Sequence, residues 1–329
     1  MTQSTFYYIL EKVEGKFKKT WCNWHKPIFP EERLIVTLRF LATGSSFRSL
    51  AFSFRIGLTT VAGIVSETVD ILWEELQPVH MSAPTRTLFE TIATEMWKVW
   101  NFPLCIGALD GKHVRVQCPK NSGSMFYNYK HFFSIVLQAL VDAQYRFIVI
   151  DVGGYGKQSD GGTFQASSLY QAIMSGTLQI PEPTTLPDSN GVAPFVIVAD
   201  EAYPLMNCLM KAYGGQNLPP DEVCFNKRLS RSRKTVKCAF GIMTAKWRLL
   251  SKEIETDADL VDRIIKCICV LHNVIIDREG MDHNYTEVSC ENSAVVWETR
   301  GRPSNDAKWT RDIFKTFFQN HPLVYTNRQ

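Results

Sequence analysis

Two short apolar runs, each followed at once by an aspartate, constrain this chain more than any other feature. The first covers residues 105–109 before Asp110, and the second covers residues 195–199 before Asp200. Runs of this length and composition predict buried β-strands. If the two strands are neighbours in one sheet, their aspartates come together, and paired carboxylates at the edge of a sheet are what a divalent-metal site needs.

Composition places few further limits on the chain. It has 329 residues, 45% of them hydrophobic and 21% charged, with a formal net charge of +3. These values are ordinary for a soluble globular protein of one large domain with an appended smaller one, or of two domains. Nine scattered cysteines without CxxC spacing indicate a reducing compartment and no structural zinc. With no apolar run of about 18 residues and no secretory signal, we expect no membrane span and a location in the nucleus, the cytoplasm or both.

Residues 1–100 have helical periodicity and predict an all-α N-terminal region. Within it, residues 30–76 predict a helix, a short second helix, a turn at Gly57 and a third helix, an order that is typical of a helix-turn-helix. A plain helical subdomain fits the pattern equally well. The third helix carries four acids and no Lys or Arg, so base contacts would have to come from its N-terminal end, near Arg55, Thr59 and Thr60. The four acids are Glu67, Asp70, Glu74 and Glu75.

From residue 101 the periodicity becomes that of strands, at 105–109, 134–141, 147–152 and 195–199, with helices between and after them. This layout predicts an α/β domain over 101–278, followed by a tail, 279–329, with a short helix. The glycine-rich stretch 153–162 is interpreted as a turn, because it is neither a Walker A sequence nor a GxGxxG motif between strand and helix.

Residues 227–252 contain many basic residues and no acid. Apolar residues recur there at helical spacing, which predicts one amphipathic helix with a basic exposed side. Such a side is usually only a solvated surface, but the complete absence of acids beside a presumed metal site favours contact with a polyanion. The candidate nucleic-acid contacts are Lys227, Arg228, Arg231, Arg233, Lys234, Lys246 and Arg248.

A series of short motifs resembles the nuclease subunit of PIF/Harbinger-type DNA transposases. In chain order they are GALDGKHV at 107–114, NSGS at 121–124, YNYK at 127–130, SDGG at 159–162, DEAYPL at 200–205, LSRSR at 229–233, AFG at 239–241 and LHN at 271–273. The tail around 310–318 also resembles that of the family. The resemblance implies an RNase H-like mixed sheet flanked by helices, with a DDE site of three acids.

In such a site the acids hold two Mg²⁺ or Mn²⁺ ions, which activate a water or a 3′-hydroxyl and stabilise the leaving oxygen of a phosphodiester. Asp110 and Asp200 match the first two acids of the family pattern. The third departs from it, because Lys237 stands where the pattern has a glutamate four residues after an arginine, here Arg233. A lysine removes a ligand and adds a positive charge, so at most one weakly held ion is expected at Asp110 and Asp200.

Three further side chains have alternative interpretations. Asp160 matches a recurring family position and either caps the helix that follows it or adds a carboxylate to one ion. His113 follows Asp110 by three residues, and since DDE chemistry needs no histidine, a structural role is favoured. His272 lies among apolar residues of a predicted helix and is interpreted as a core histidine with its hydrogen bonds satisfied.

Two functions therefore stay open. The chain is either a transposase-derived protein whose degraded site has left a DNA- or protein-interaction module, or an active metal-dependent DNA endonuclease. In this family a separate Myb-like protein typically binds the specific DNA sequence, so such a partner is implied by the resemblance.

Overall fold

The computed structural model of the chain describes residues 1–17, 27–280 and 303–322. Helices make up the first part of the chain: α1 (Gln3–Val13), α2 (Pro30–Thr43), α3 (Phe47–Phe54), α4 (Leu58–His80) and α5 (Arg86–Glu95). The last of these continues into a π-helical turn, Met96–Trp100, and ends at Asn101, whose φ is 58°. The predicted all-helical start, with a short helix and a turn before a long third helix, is thus present.

A five-stranded mixed sheet follows. Its strands are β1 (Cys105–Arg115), β2 (Ser134–Val141), β3 (Phe147–Tyr155), β6 (Val196–Val198) and β7 (Leu209–Met210), in the order β3-β2-β1-β6-β7. β1, β2 and β3 are antiparallel neighbours, whereas β6 and β7 run parallel to β1. A separate two-stranded ribbon joins β4 (Thr184–Thr185) and β5 (Val192–Ala193). The predicted α/β class and mixed sheet are confirmed.

The remaining helices flank this sheet: α6 (Asp160–Ala166), α7 (Ser168–Met174), α8 (Pro220–Lys246), α9 (Ala258–Glu279) and α10 (Asn305–Asn320). α8 contacts β1, β2 and β6, while α9 packs on β2, β3 and α4. Buried apolar side chains from α1 through α10 form one contiguous core. The helical N-terminal region and the sheet therefore share their hydrophobic interior.

Three predicted boundaries are wrong, each for a local reason. β1 does not stop at Asp110 but continues to Arg115, because β2 pairs with it along its whole second half. β3 runs through Gly153 and Gly154, which sequence alone placed in a turn; the missing side chain at Gly154 leaves room for Thr163 and Val136. The basic helix α8 begins at Pro220 and ends at Lys246, before a separate 3₁₀ turn over Arg248–Ser251.

No helix in the described parts of the chain is by itself long and apolar enough to cross a membrane. α3 and α4 have the required length and composition only as a pair, and that pair is bent by 106°.

Candidate active site

The parallel pairing of β1 with β6 brings the two predicted aspartates together. Ala108 of β1 is in register with Val198 of β6, and each strand reaches its aspartate two residues further on. Asp110 and Asp200 therefore lie at the same level on adjacent chain segments, as expected if the apolar runs are neighbours. Their side chains differ in exposure, at 13% for Asp110 and 38% for Asp200.

An arginine from α8 lies between these two carboxylates. Arg233 Nη2 is 2.7 Å from Asp200 Oδ2, to which it donates a hydrogen bond, and 3.8 Å from Asp110 Oδ2. Its side chain is only 14% exposed. The other oxygen of each aspartate accepts a backbone N–H, from Gly111 for Asp110 and from Glu201 for Asp200. Arg233 therefore does not belong with the exposed nucleic-acid contacts that the sequence suggested.

Lys237 follows Arg233 by one helical turn and is half-buried. Burial raises the pKa of Asp110, and the charges of Arg233 and Lys237 act in the opposite direction. Lys237 is thus near enough to Asp110 to act on it electrostatically, although Arg233 makes the ion pairs. The side chain in the third-acid position consequently adds positive charge to the site.

Asp160 lies close to this pair without capping its helix. The cap of α6 is Ser159, whose Oγ accepts the N–H of Gly162 at 3.2 Å. Asp160 Oδ1 instead packs against Gly111, 2.5 Å from where a β-carbon would lie, so any larger residue at position 111 would have to push the Asp160 carboxylate aside. Burial, followed by repulsion from Asp110 and Asp200, raises the pKa of Asp160 to about 7.

Gln138 and Tyr203, to which sequence analysis gave no role, help to position Asp160. Gln138 Nε2 donates to the backbone carbonyl of Asp160 at 2.8 Å and to Tyr203 Oη at 3.3 Å. Tyr203 is fully buried, and burial, followed by the charge of Asp160, raises the pKa of its hydroxyl well above the usual value. The sequence contained one signal for this contact, a single glutamine in a strand that is otherwise apolar from Ile135 to Val141.

The described residues fit a two-ion site poorly. They include no group of three or more His, Cys, Asp or Glu side chains that could hold a metal ion. Side chains alternate along an extended strand, so the face of Gly111 against which Asp160 packs is opposite to the face that carries Asp110. The space between Asp110 and Asp200 already holds a guanidinium group, and a divalent cation would have to displace it.

The contacts of His113 and His272 both indicate a structural role. His113 Nδ1 lies 2.8 Å from Ser134 Oγ, and burial and two nearby lysines lower its pKa to about 4. His272 is buried on α9, with Nε2 2.9 Å from the carbonyl oxygen of Tyr145 and a pKa lowered by burial to about 4. His272 therefore donates as a neutral ring, which confirms its interpretation as a core histidine.

The other basic candidates differ widely in exposure. Lys227, Lys234 and Arg248 are exposed and Arg231 is half-buried, whereas Lys246 Nζ lies 4.0 Å from Glu279 Oε2. Arg228 requires a correction: it is only 2% exposed and donates to the backbone carbonyls of Asn101 and His321. Because its guanidinium ties α8 to both segments, it cannot also contact phosphate.

Three of the four acids on α4 form ion pairs with basic residues of neighbouring segments. Glu67 pairs with Arg33 of α2, and Asp70 pairs with Arg263 of α9, at 2.5 and 2.8 Å. Glu75 pairs with Lys16 at 2.8 Å. These acids hold α4 against its neighbours, so they are not evidence about whether its N-terminal end contacts DNA.

The family described as DDE superfamily endonuclease matches residues 109–273, half of the chain. The match begins next to Asp110 and includes β2, β3, β6, α8 and most of α9. This chain belongs to the Harbinger-derived DDE nuclease family. An RNase H-like fold accounts for the mixed sheet, and endonucleases of this superfamily generally use divalent metal ions.

Three curated proteins resemble this DDE nuclease-like chain over most of its length. An Arabidopsis thaliana protein named ALP1-like is 28% identical over 88% of this chain and 75% of its own. The Arabidopsis protein antagonist of like heterochromatin protein 1 is 27% identical, over 75% and 62%. A Rattus norvegicus protein named as nuclease HARBI1 is 21% identical, over 84% and 75%. No solved structure matches the chain.

Proposed function

We propose that this chain is a DDE nuclease-like protein with a degraded metal site that acts as a DNA- and protein-interaction module. The observation that carries the proposal is the guanidinium of Arg233 between Asp110 and Asp200, with Lys237 one turn away. Two aspartates, one arginine and one lysine balance in charge. A divalent cation would gain little attraction there, and binding it would require breaking an ion pair.

The DNA contacts proposed for this module lie on the outer side of α8. Lys227, Arg231 and Lys234 recur at intervals of four and three residues, so they share one side of the helix. Lys227 and Lys234 are exposed, and Arg248 adds a further exposed charge beyond the helix end. A row of cations without acids binds phosphate chiefly by releasing counterions.

Protein contacts are the second half of the proposal. A Myb-like DNA-binding partner is what the resemblance to Harbinger-type nucleases implies. The name of one relative refers to a heterochromatin protein, and a chromatin-associated role in the nucleus would suit a DNA-contacting module.

A second candidate function is residual endonuclease activity. The observation that favours it is that Asp110 and Asp200 are still in register on adjacent segments, with Asp160 close enough to repel both. On this view Asp110 and Asp200 would hold one Mg²⁺ or Mn²⁺ ion after Arg233 swings away, and Asp160 would add negative charge from the other face of β1.

A nicking assay on supercoiled plasmid with Mg²⁺ or Mn²⁺ separates the two candidates. Wild type is expected to nick no faster than Asp110→Ala/Asp200→Ala, and Lys237→Glu is expected to nick faster than both. Metal-dependent nicking by wild type that the double alanine variant lacks would establish the endonuclease instead.

DNA binding is tested by titrating duplex affinity against salt. Lys227→Gln/Arg231→Gln/Lys234→Gln should reduce the slope of log K against log salt by about 0.9 for each phosphate that is no longer neutralised. The matched control, Lys12→Gln/Arg86→Gln/Lys98→Gln, removes three exposed charges from α1, α5 and the turn after it. Equal slopes for the two triple variants would remove α8 as the DNA contact.

A further inference from the structure

The loop between β1 and β2 combines positive charge with aromatic rings. This β1–β2 loop, residues 116–133, contains no Asp or Glu, and the acid-free stretch extends from Gly111 to Val141. Its aromatic residues are Phe126, Tyr127, Tyr129, Phe132 and Phe133, and the basic residues in or beside it are Lys112, Arg115, Lys120 and Lys130. The known chemistry of a DDE site assigns none of these residues a role.

The loop is ordered by its own side chains. Asn128 is buried: its Oδ1 accepts the N–H groups of Lys130 and Phe132, and its Nδ2 donates to Ser134 Oγ. The rings of Tyr127 and Phe133 meet edge to face at 5.2 Å. A loop fixed in this way can present rings to a ligand at little entropic cost on binding.

Part of this aromatic surface faces solvent. Tyr127 is 40% exposed and Tyr129 is 38% exposed. Lys130 Nζ lies 5.6 Å from the centre of the Tyr129 ring, which itself packs edge-on against His113 at 5.6 Å. At least one of the exposed rings is therefore bordered by a cation.

The same rings lie at the rim of the aspartate site. Tyr129 packs against His113, which follows Asp110 by three residues on β1, and burial, followed by the charges of Asp160, Asp110 and Asp200, raises the pKa of Tyr129. Lys130 acts on Asp160 in turn. A strand that lay across Tyr129 would therefore run beside the part of β1 that carries Asp110.

A ligand that uses both features must offer flat rings and negative charge. Unpaired bases stack on aromatic side chains irrespective of sequence, while their phosphates contact neighbouring cations. A duplex hides the faces of its bases, so it would gain from Lys120 and Lys130 but not from the tyrosines. We propose that the β1–β2 loop is a stacking platform for an unpaired polynucleotide strand at the rim of the aspartate site. This proposal rests on the proposed nucleic-acid-binding function and names its substrate class.

The test compares binding of dT20, rU20 and a 20-base-pair duplex by fluorescence anisotropy. Tyr127→Ala/Tyr129→Ala should bind dT20 about 10- to 100-fold more weakly, with an unchanged salt slope, because stacking carries no charge. Its affinity for the duplex should stay within about twofold of wild type. Tyr7→Ala, at an exposed tyrosine of α1, is the control and should change nothing.

A second pair of variants keeps the test valid if the alanine variant does not fold. Tyr127→Phe/Tyr129→Phe retains the rings and should bind dT20 like wild type, whereas Tyr127→Leu/Tyr129→Leu keeps apolar bulk without a ring and should bind weakly. Lys130→Gln should reduce the salt slope for dT20 by about 0.7, which removal of a ring would not do.

The outcomes distinguish the stacking platform from the nucleic-acid-binding function on which it rests. If the tyrosine variants bind dT20 and rU20 like wild type while the α8 triple variant binds more weakly, stacking is overturned and nucleic-acid binding stands. If wild type binds none of the three probes, both proposals fail. A reduction confined to rU20 supports the platform and identifies RNA as its ligand, and a reduction confined to dT20 identifies DNA.

Discussion

At the scale of single residues, the aspartate site is governed by the position of positive charge. Asp110 is almost buried, and an isolated buried carboxylate is unfavourable unless it is neutralised or paired. Arg233 supplies that pairing to Asp110 and Asp200 together, and Lys237 adds to it from the next turn of α8. Asp160, with a pKa of about 7, carries only part of a charge near neutral pH.

Replacing Arg233 tests this balance directly. Arg233→Gln should lower the free energy of unfolding by about 1–3 kcal/mol, because removing one partner leaves Asp110 with an uncompensated charge. Asp200 contributes less to this loss than Asp110, because its side chain is 38% exposed and water screens its charge. Urea denaturation at neutral pH gives the difference. Lys234→Gln, one residue along and exposed, is the control and should change stability by less than about 0.5 kcal/mol. Equal stability of the two variants would show that Arg233 does not neutralise the aspartates.

At the scale of elements, register decides which residues meet. The sequence predicted the apolar runs of β1 and β6, and hence the neighbouring aspartates, because buried strands have a strong compositional signal. It could not predict that β1 continues past Asp110, since Gly111, Lys112 and His113 have no apolar alternation. That continuation depends on pairing with β2, which is a tertiary contact. The same limit applies to Arg233, whose position between the aspartates depends on where α8 crosses β1.

Helix α9 holds the β2–β3 hairpin through two adjacent side chains. His272 Nε2 is 2.9 Å from the carbonyl oxygen of Tyr145, and Asn273 hydrogen-bonds both the N–H and the carbonyl of Phe147. Neither contact follows from sequence pattern, because both partners are backbone atoms more than 120 residues away. Only the burial of His272 was predictable, from the apolar residues around it.

Stability should therefore depend on His272 in acid. Its pKa is about 4 in the folded chain, against 6.5 as the ordinary value. The neutral ring of His272 contributes fully to the free energy of unfolding above pH 6.5. This contribution is lost as the pH falls from 6.5 to 4, because the unfolded chain binds a proton at a higher pH than the folded chain does. His272→Gln should remove about 2–3 kcal/mol of the decrease in stability between pH 7 and pH 4. Urea denaturation across that range is the measurement. Because His113 has a similarly low pKa, the stability of His272→Gln still falls somewhat with falling pH. The curves of unfolding free energy against pH for wild type and His272→Gln should converge in acid. Curves that stay parallel would contradict the assignment.

At the scale of the whole molecule, a single core joins the N-terminal helices to the nuclease-like sheet. One acid of α4 takes part in that joint, since Asp70 pairs with Arg263 of α9, whereas Glu67 pairs with Arg33 inside the N-terminal region. Sequence alone could find the α/β class, the order of elements and the departure at Lys237. It could not separate structural cations such as Arg228 from exposed ones such as Lys234, because both lie in one basic run and only packing distinguishes them. The proposed boundaries at 100 and 278 stay predictions.

The central claim is that this site has exchanged its metal ions for side-chain cations, and Mn²⁺ binding measured by electron paramagnetic resonance tests it most directly. Wild type and Asp110→Ala/Asp200→Ala should bind the same small amount of Mn²⁺. Lys237→Glu should gain one site that disappears when the two aspartates are also replaced, and Lys234→Glu, the same charge change at an exposed position, should gain none. Saturable Mn²⁺ binding by wild type that the double alanine variant abolishes would contradict the claim.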